Sequence, residues 1–149
     1  MLAARTGALG EGDRTDVRGL NHAALLVSDV ERSRRFYGEV LGLDEVPRPE
    51  SFTFPGAWFR RGDTEIHLIA EQEPGRAAEM HPGYADGEIG RGFGTHIAFE
   101  VGSLAGAQRR LEELDVPVAG GPRPRGDGVQ QLYVRDPDGY VVELFAWEE

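Results

Sequence analysis

Apolar and polar positions alternate over residues 20 to 27 and again over 95 to 101, and each run opens on a histidine, His22 and His96. Alternation with period two marks a half-buried strand. Each run reaches a capping residue, Asp29 or Ser103, seven positions after its histidine. Past each cap the period lengthens to that of a helix. Val30, Phe36, Tyr37, Val40 and Leu41 form one stripe; Leu104, Ala107, Leu111 and Leu114 form the other. Gly42 stands where a left-handed residue ends the first helix. Further strands are predicted over about 43–48, 52–60 and 64–70, then over about 117–120, 129–135 and 140–147. Arg61-Gly62-Asp63 and Asp136-Pro137-Asp138-Gly139 supply turns. Each half therefore reads βαβββ. The pattern predicts a tail at 1–17 that is mobile and one domain over 18–149, with module one at 19–71 and module two at 95–147.

Between the modules, residues 72–94 are rich in Gly, Glu and Ala and show no period. A loop of that length is either a lid over a site or a solvated linker between duplicated halves. His81 lies in it without a partner pattern and is left outside the candidate site.

Strand parity separates the polar groups from the apolar ones. Ala23, Leu25 and Val27 share a face that His22 leaves, and Ile97, Phe99 and Val101 share a face that His96 leaves. In the last strand of each module Ile66 and Leu68 oppose His67, while Val142 and Leu144 oppose Glu143. The apolar sets can pack under the helices, which leaves four ligand-type groups on the other surface. A single strand histidine is more often structural than a ligand. Here three of the four histidines and one strand-embedded carboxylate recur at matching points of a duplicated unit. A carboxylate between Val142 and Leu144 is costly to bury unless paired or metal-bound. The expected metal ligands are His22, His96 and Glu143, with His67 a fourth ligand or a proton-transfer residue beside them.

Composition narrows the chemistry. The net charge of -10 disfavours a nucleic-acid backbone or an anionic membrane as partner. No apolar run reaches the length of a membrane helix and no signal-peptide core opens the chain, so a cytoplasmic protein is the default expectation. There is no cysteine, and all 16 basic residues are arginine. Thiolate sites, disulfides, Schiff-base lysines and a P-loop lysine are thereby excluded. None of the serines sits in a nucleophile elbow. Metal-assisted or general acid–base chemistry on a small molecule remains. Trp58, Phe93, Tyr133 and Phe145 are candidates either to line a pocket or to pack in the core, and Glu100, on the face of His96, is a second candidate base or a surface carboxylate.

The stretch from His22 through Phe36-Tyr37-Gly38-Glu39-Val40-Leu41-Gly42-Leu43 resembles the glyoxalase I signature, with Ala23 in place of the usual β-branched residue. Leu132-Tyr133-Val134-Arg135-Asp136-Pro137-Asp138-Gly139 through Glu143 resembles the second half of the extradiol dioxygenase signature. The histidine which that signature places shortly before the Leu-Tyr pair is missing; Arg125, Gly126 and Asp127 occupy the region. The chain thus resembles the vicinal oxygen chelate superfamily, which includes glyoxalase I, bleomycin- and fosfomycin-resistance proteins, methylmalonyl-CoA epimerase and extradiol dioxygenases. The resemblance covers residues 18 to 147. It implies an α+β fold in which the two modules form an eight-stranded, cup-shaped mixed sheet with helices on its outer face. It places the metal positions on His22, His67, His96 and Glu143, with a divalent cation such as Zn, Ni, Mn or Fe(II). It also implies that Glu143 can shuttle a proton, and that the protein is a homodimer. Histidine at 67, where glyoxalase I-like proteins often carry a carboxylate or glutamine, is a departure that points away from glutathione-hemithioacetal isomerisation. Three functions follow as expectations. The first is a metal-dependent isomerase or lyase that chelates vicinal oxygens of a small substrate and stabilises an enediolate-like intermediate. The second is an Fe(II) ring-cleaving or other dioxygenase. The third is a metal-free binding protein of the bleomycin-resistance kind. Whether the cup closes within one chain or by exchange between two is left open.

Overall fold

The computed structural model describes residues 7–8 and 10–147. Part of the expected tail, and residues 148–149, therefore lie outside the described residues. From Gly10 the chain makes a single 3-10 turn, Glu11–Asp13, and then runs without regular structure to the first strand.

Module one comprises β1 (Ala23–Val27), α1 (Val30–Arg35), β2 (Asp44–Val46), β3 (Gly56–Arg61) and β4 (Thr64–Ala70). Module two comprises β5 (His96–Glu100), a ten-residue helix (Leu104–Glu113), β6 (Val118–Pro124), β7 (Val129–Arg135) and β8 (Val141–Trp147). The caps are those the sequence offers. Asp29 accepts a hydrogen bond from the Arg32 amide at 3.1 Å, and Ser103 accepts one from the Gly106 amide at 3.0 Å. Past Arg35 the first helix widens to a π-turn, Phe36–Val40, and Gly42 ends it at φ 74°.

Each module forms a four-stranded mixed sheet, in the orders β1-β4-β3-β2 and β5-β8-β7-β6. The pairs β1 with β4 and β5 with β8 are parallel, and the long connection that parallel strands need carries the helix of each module. The α+β class and the eight strands match the sequence expectation. Within one chain, however, the two sheets are not joined edge to edge, and β1 and β5 each hydrogen-bond to one neighbour only among the described residues.

The cause lies in the core. One apolar cluster holds Leu25, Phe59, Ile66 and Leu68 of module one together with Leu132, Val134, Val142 and Leu144 of module two. Phe36, Tyr37 and Leu111 from the helices join it. The modules thus pack through their helix-bearing faces, where most of the buriable apolar area lies. Parity then turns His67 and Glu143 onto the opposite faces.

A polar clasp fastens the same interface. The β7–β8 turn of module two reaches the start of α1 in module one. Asp138 accepts from the Ser28 amide at 3.1 Å and from the Ser28 hydroxyl at 2.6 Å. Buried Asp136 accepts from the Tyr37 hydroxyl at 2.7 Å, and the Tyr140 hydroxyl donates to the Leu26 carbonyl at 3.0 Å.

The connection between modules is not structureless. It contains α2 (Arg76–Glu79) and α3 (Asp86–Gly90), so the module-two helix Leu104–Glu113 is α4. α3 lies against β6, with Ile89 buried beside Tyr133 and Val141. A Cβ on Gly120 would stand 2.6 Å from Gly90 Cα and 3.1 Å from Gly90 N. Those are backbone atoms, so one helix must give way if the methyl is added. We expect Gly120→Ala to lift α3 off the sheet at a cost of about 1–3 kcal/mol. Limited proteolysis within residues 72–94 should then accelerate about tenfold while far-ultraviolet circular dichroism holds.

Candidate functional site

The predicted groups come together in two pairs. In module one, His67 on β4 lies beside Trp58 on β3, its partner in the sheet register. The His67 ring is sandwiched, with the Trp58 ring centroid at 3.9 Å and 2° on one side and the His22 ring at 3.9 Å and 17° on the other. His22 itself precedes β1 and is exposed, while His67 is buried. Module two repeats the row. Glu143 on β8 is paired in register with Tyr133 on β7, and His96 opens β5 beside them. His96 Nε2 stands 3.2 Å from Glu143 Oε1, and its ring meets Tyr133 edge-on at 5.4 Å. His22 therefore matches His96, His67 matches Glu143, and Trp58 matches Tyr133.

The two pairs do not meet within one chain. Among the described residues no group of three or more histidine, aspartate and glutamate side chains is close enough to hold one metal ion. The back-to-back packing of the modules accounts for this, because it points the two rows in different directions.

Each pair is nevertheless prepared as a donor set. His22 Nδ1 contacts Asn21 Oδ1 at 2.7 Å, and His96 Nδ1 contacts the Gly94 carbonyl at 2.7 Å. Both acceptors are oxygens, so each Nδ1 carries a hydrogen and Nε2 is the nitrogen left to face the site, the orientation usual for ligating imidazoles. His67 Nε2 is buried without a hydrogen-bond partner; Glu65 Oε1 lies 3.4 Å away. Burial depresses the His67 pKa below the ordinary histidine range, against the opposing pull of Glu65. That ring is then neutral near pH 7 and able to donate a lone pair.

Two residues that sequence reasoning did not place in the site stand within it. Glu65, two positions before His67 and so on the same face, is bonded to Arg60 at 3.0 Å, which holds its carboxyl below the usual range. The spacing of two along one strand was the available signal. Arg125 donates from Nη1 to Glu143 Oε2 at 2.7 Å. Its Nε and Nη2 bind Asp127 at 3.0 and 2.7 Å, and its guanidinium lies 4.5 Å over the Phe145 ring. It occupies the stretch where the dioxygenase signature places a histidine. Burial and the neighbouring Glu143 raise the Tyr133 pKa. Of the four aromatic candidates, Trp58, Tyr133 and Phe145 adjoin the site, whereas Phe93 is 71% exposed and stacks near Arg91. Glu100 is exposed and lines the cleft between the modules. His81 packs edge-on against Tyr140 at 4.2 Å, away from both rows.

Known proteins share this fold. Glyoxylase I 4 of Arabidopsis thaliana is 31% identical over 137 residues, which span 89% of this chain and 73% of that protein. A lactoylglutathione lyase of Pseudomonas aeruginosa is 31% identical over 83% of this chain and 80% of its own. The crystal structure of a glyoxalase/dioxygenase from Nostoc punctiforme superimposes with a TM-score of 0.71 at 28% identity, covering 98% of this chain and all of that one (100%). The model of the Glyoxalase/Bleomycin resistance protein/Dioxygenase superfamily matches residues 19–144, which takes in both histidine-opened strands and the strand of Glu143, and the chain belongs to that superfamily.

Proposed function

We propose that this protein is a metal-dependent lyase or isomerase of the glyoxalase type whose centre is completed by two chains. His22 and His67 of one chain and His96 and Glu143 of the other are its ligands. The carrying observation is the His96–Glu143 pair. With Nδ1–H spent on Gly94, His96 Nε2 faces a carboxylate oxygen of Glu143 at 3.2 Å, a spacing at which a nitrogen and an oxygen can hold one cation together. The Glu143 side chain is 3% exposed, so an ion held there is shielded from water.

Three imidazoles and one carboxylate suit Zn, Ni, Mn or Fe(II). When bound, such an ion supplies Lewis-acid stabilisation of negative charge on two neighbouring oxygens of a small substrate. The chain's own residues do the rest. Asn21 and the Gly94 carbonyl orient the imidazoles, and Trp58 fixes the plane of His67. Glu143 and Glu65 are the carboxylates placed to take and return a proton. α3, packed over Tyr133 and β6, keeps water from that side. The relatives named glyoxylase and lactoylglutathione lyase support the reaction class. Arg125, standing where a ring-cleaving dioxygenase would have its histidine, weighs against the oxygenase reading.

A homodimer is part of the same reading, and two features support it. The outer edges of β1 and β5 are unpaired among the described residues and flank a cleft of about 740 Å³ between the modules. Ile97 and Phe99 of β5 remain only half-buried. A second copy covers these edges and brings each outward row against its complement.

Metal analysis after purification without chelator tests the reading. The native protein should hold one divalent ion per chain, and His96→Ala should lose it, with affinity reduced at least about a hundredfold. A native protein that neither retains nor takes up Zn, Ni, Mn or Fe(II) would remove the metal centre and the lyase reading with it.

A further inference from the structure

We propose that Arg125 sets the substrate class of this site by selecting a compound with a carboxylate beside its chelating oxygen, as in a 2-oxo or 2-hydroxy acid. The inference rests on the two-chain metal centre proposed above.

Arg125 is held more firmly than an ordinary surface arginine. Asp127 takes Nε at 3.0 Å and Nη2 at 2.7 Å in a fork, and the Phe145 ring lies under the guanidinium at 4.5 Å. This anchoring leaves Nη1 directed at Glu143 Oε2, at 2.7 Å. The cation is therefore one carboxylate's width from His96 Nε2, which stands 3.2 Å from the other oxygen of Glu143. Three of the five N–H groups of the guanidinium are used. One N–H on each terminal nitrogen is left without a protein acceptor among the described residues. These two donors are the ones left to bind a carboxylate.

The charge balance points the same way. A divalent ion with neutral imidazoles and one glutamate carries a single net positive charge. Arg125 and Asp127 cancel. A monoanion that chelates through neighbouring oxygens neutralises the centre, and Arg125 makes its anionic end the recognised one. A neutral vicinal dioxygen compound satisfies neither. Such selection is local, since the chain as a whole carries -10 and repels anions at long range.

Oxamate and oxamide test this, because both present two neighbouring oxygens and differ in the carboxylate. Their affinities for the Mn(II)-loaded protein can be read by competition through water-proton relaxation. Mn(II) binding itself is measured first, and folding is checked by thermal melt. In Arg125→Met, with the Mn(II) site saturated, the preference for oxamate over oxamide should fall about tenfold or more while oxamide still binds. Arg125→Lys keeps the charge and loses the fork, and its preference should fall by less. If Arg125→Met fails to fold, the lysine variant carries the test, with a fall of at least about threefold expected. An unchanged preference overturns the proposal. So does a parallel loss of Mn(II), oxamate and oxamide, which would make Arg125 a holder of Glu143 alone. Absence of Mn(II) binding by the native protein would instead overturn the metal centre, and is seen before either probe is added.

Discussion

Mixing His22→Ala chains with Glu143→Ala chains is expected to restore metal binding that neither variant has alone. In a centre shared between two chains, a homodimer of either variant has both sites damaged. The hybrid dimer concentrates both lesions in one site. Its other site takes His22 and His67 from the Glu143→Ala chain and His96 and Glu143 from the His22→Ala chain, and is intact. After unfolding and refolding of an equimolar mixture, half of the dimers are hybrids. The mixture should therefore hold about one quarter of the native metal, and isolated hybrids one half. A centre formed within each chain gives none at any mixing ratio. The prediction follows from the back-to-back core, where Leu68 and Leu144 lie in one cluster and so turn His67 and Glu143 away from each other. A protein that runs as a monomer while holding metal would contradict both the core argument and the two-chain site.

That core argument marks the boundary of what the sequence makes legible. Period-two runs opening on His22 and His96 locate β1 and β5, and the caps Asp29 and Ser103 locate α1 and α4, because these signals are local. Parity also assigns His67 and Glu143 to the faces away from the apolar core, again within one strand. The pairing of His22 with His67 follows from β1 lying beside β4, the expected result of a parallel crossover. What the residues do not carry is the orientation of one module against the other. Both modules offer the same kind of apolar face, and their order along the chain does not decide which surfaces meet. Arg125 was hidden for a related reason. Its partner Glu143 is 18 residues away, across the β7–β8 hairpin, and Arg-Gly-Asp reads as an ordinary turn. The π-turn at Phe36–Val40 likewise has no sequence signature beyond a helical stripe. Residues 72–94 lack a period because α2 and α3 are too short to show one.

The turn Asp136-Pro137-Asp138-Gly139 is the clearest case of a local motif with a distant purpose, and it supports the second large expected effect. As sequence it closes a hairpin. In the structure Asp136 is 5% exposed and takes three hydrogen bonds. Oδ1 accepts from the amides of Asp138 and Tyr140, both at 2.9 Å, and Oδ2 accepts from the Tyr37 hydroxyl at 2.7 Å. Tyr37 is fully buried, 99 residues away in the other module. Asp136→Ala removes the acceptor and leaves the Tyr37 hydroxyl and two amides unsatisfied. The expected loss is about 3–5 kcal/mol, a large share of the ~5–15 kcal/mol typical of a domain. Tyr37→Phe should cost about 1–2 kcal/mol, and the double variant should lose less than the sum, since the two act on one bond. Urea unfolding of the four proteins measures this coupling. The pH dependence adds a check with a definite sign. Burial, opposed by these three donors, lifts the Asp136 carboxyl above its ordinary value of 3.8. Between that value and the raised one the folded state binds more protons than the unfolded state. Stability relative to Asp136→Asn should therefore fall as pH rises through that interval and level off above it. A native-minus-Asn difference that instead rises with pH would mean that the hydrogen bonds outweigh burial, and that the clasp holds an anion more tightly than an acid.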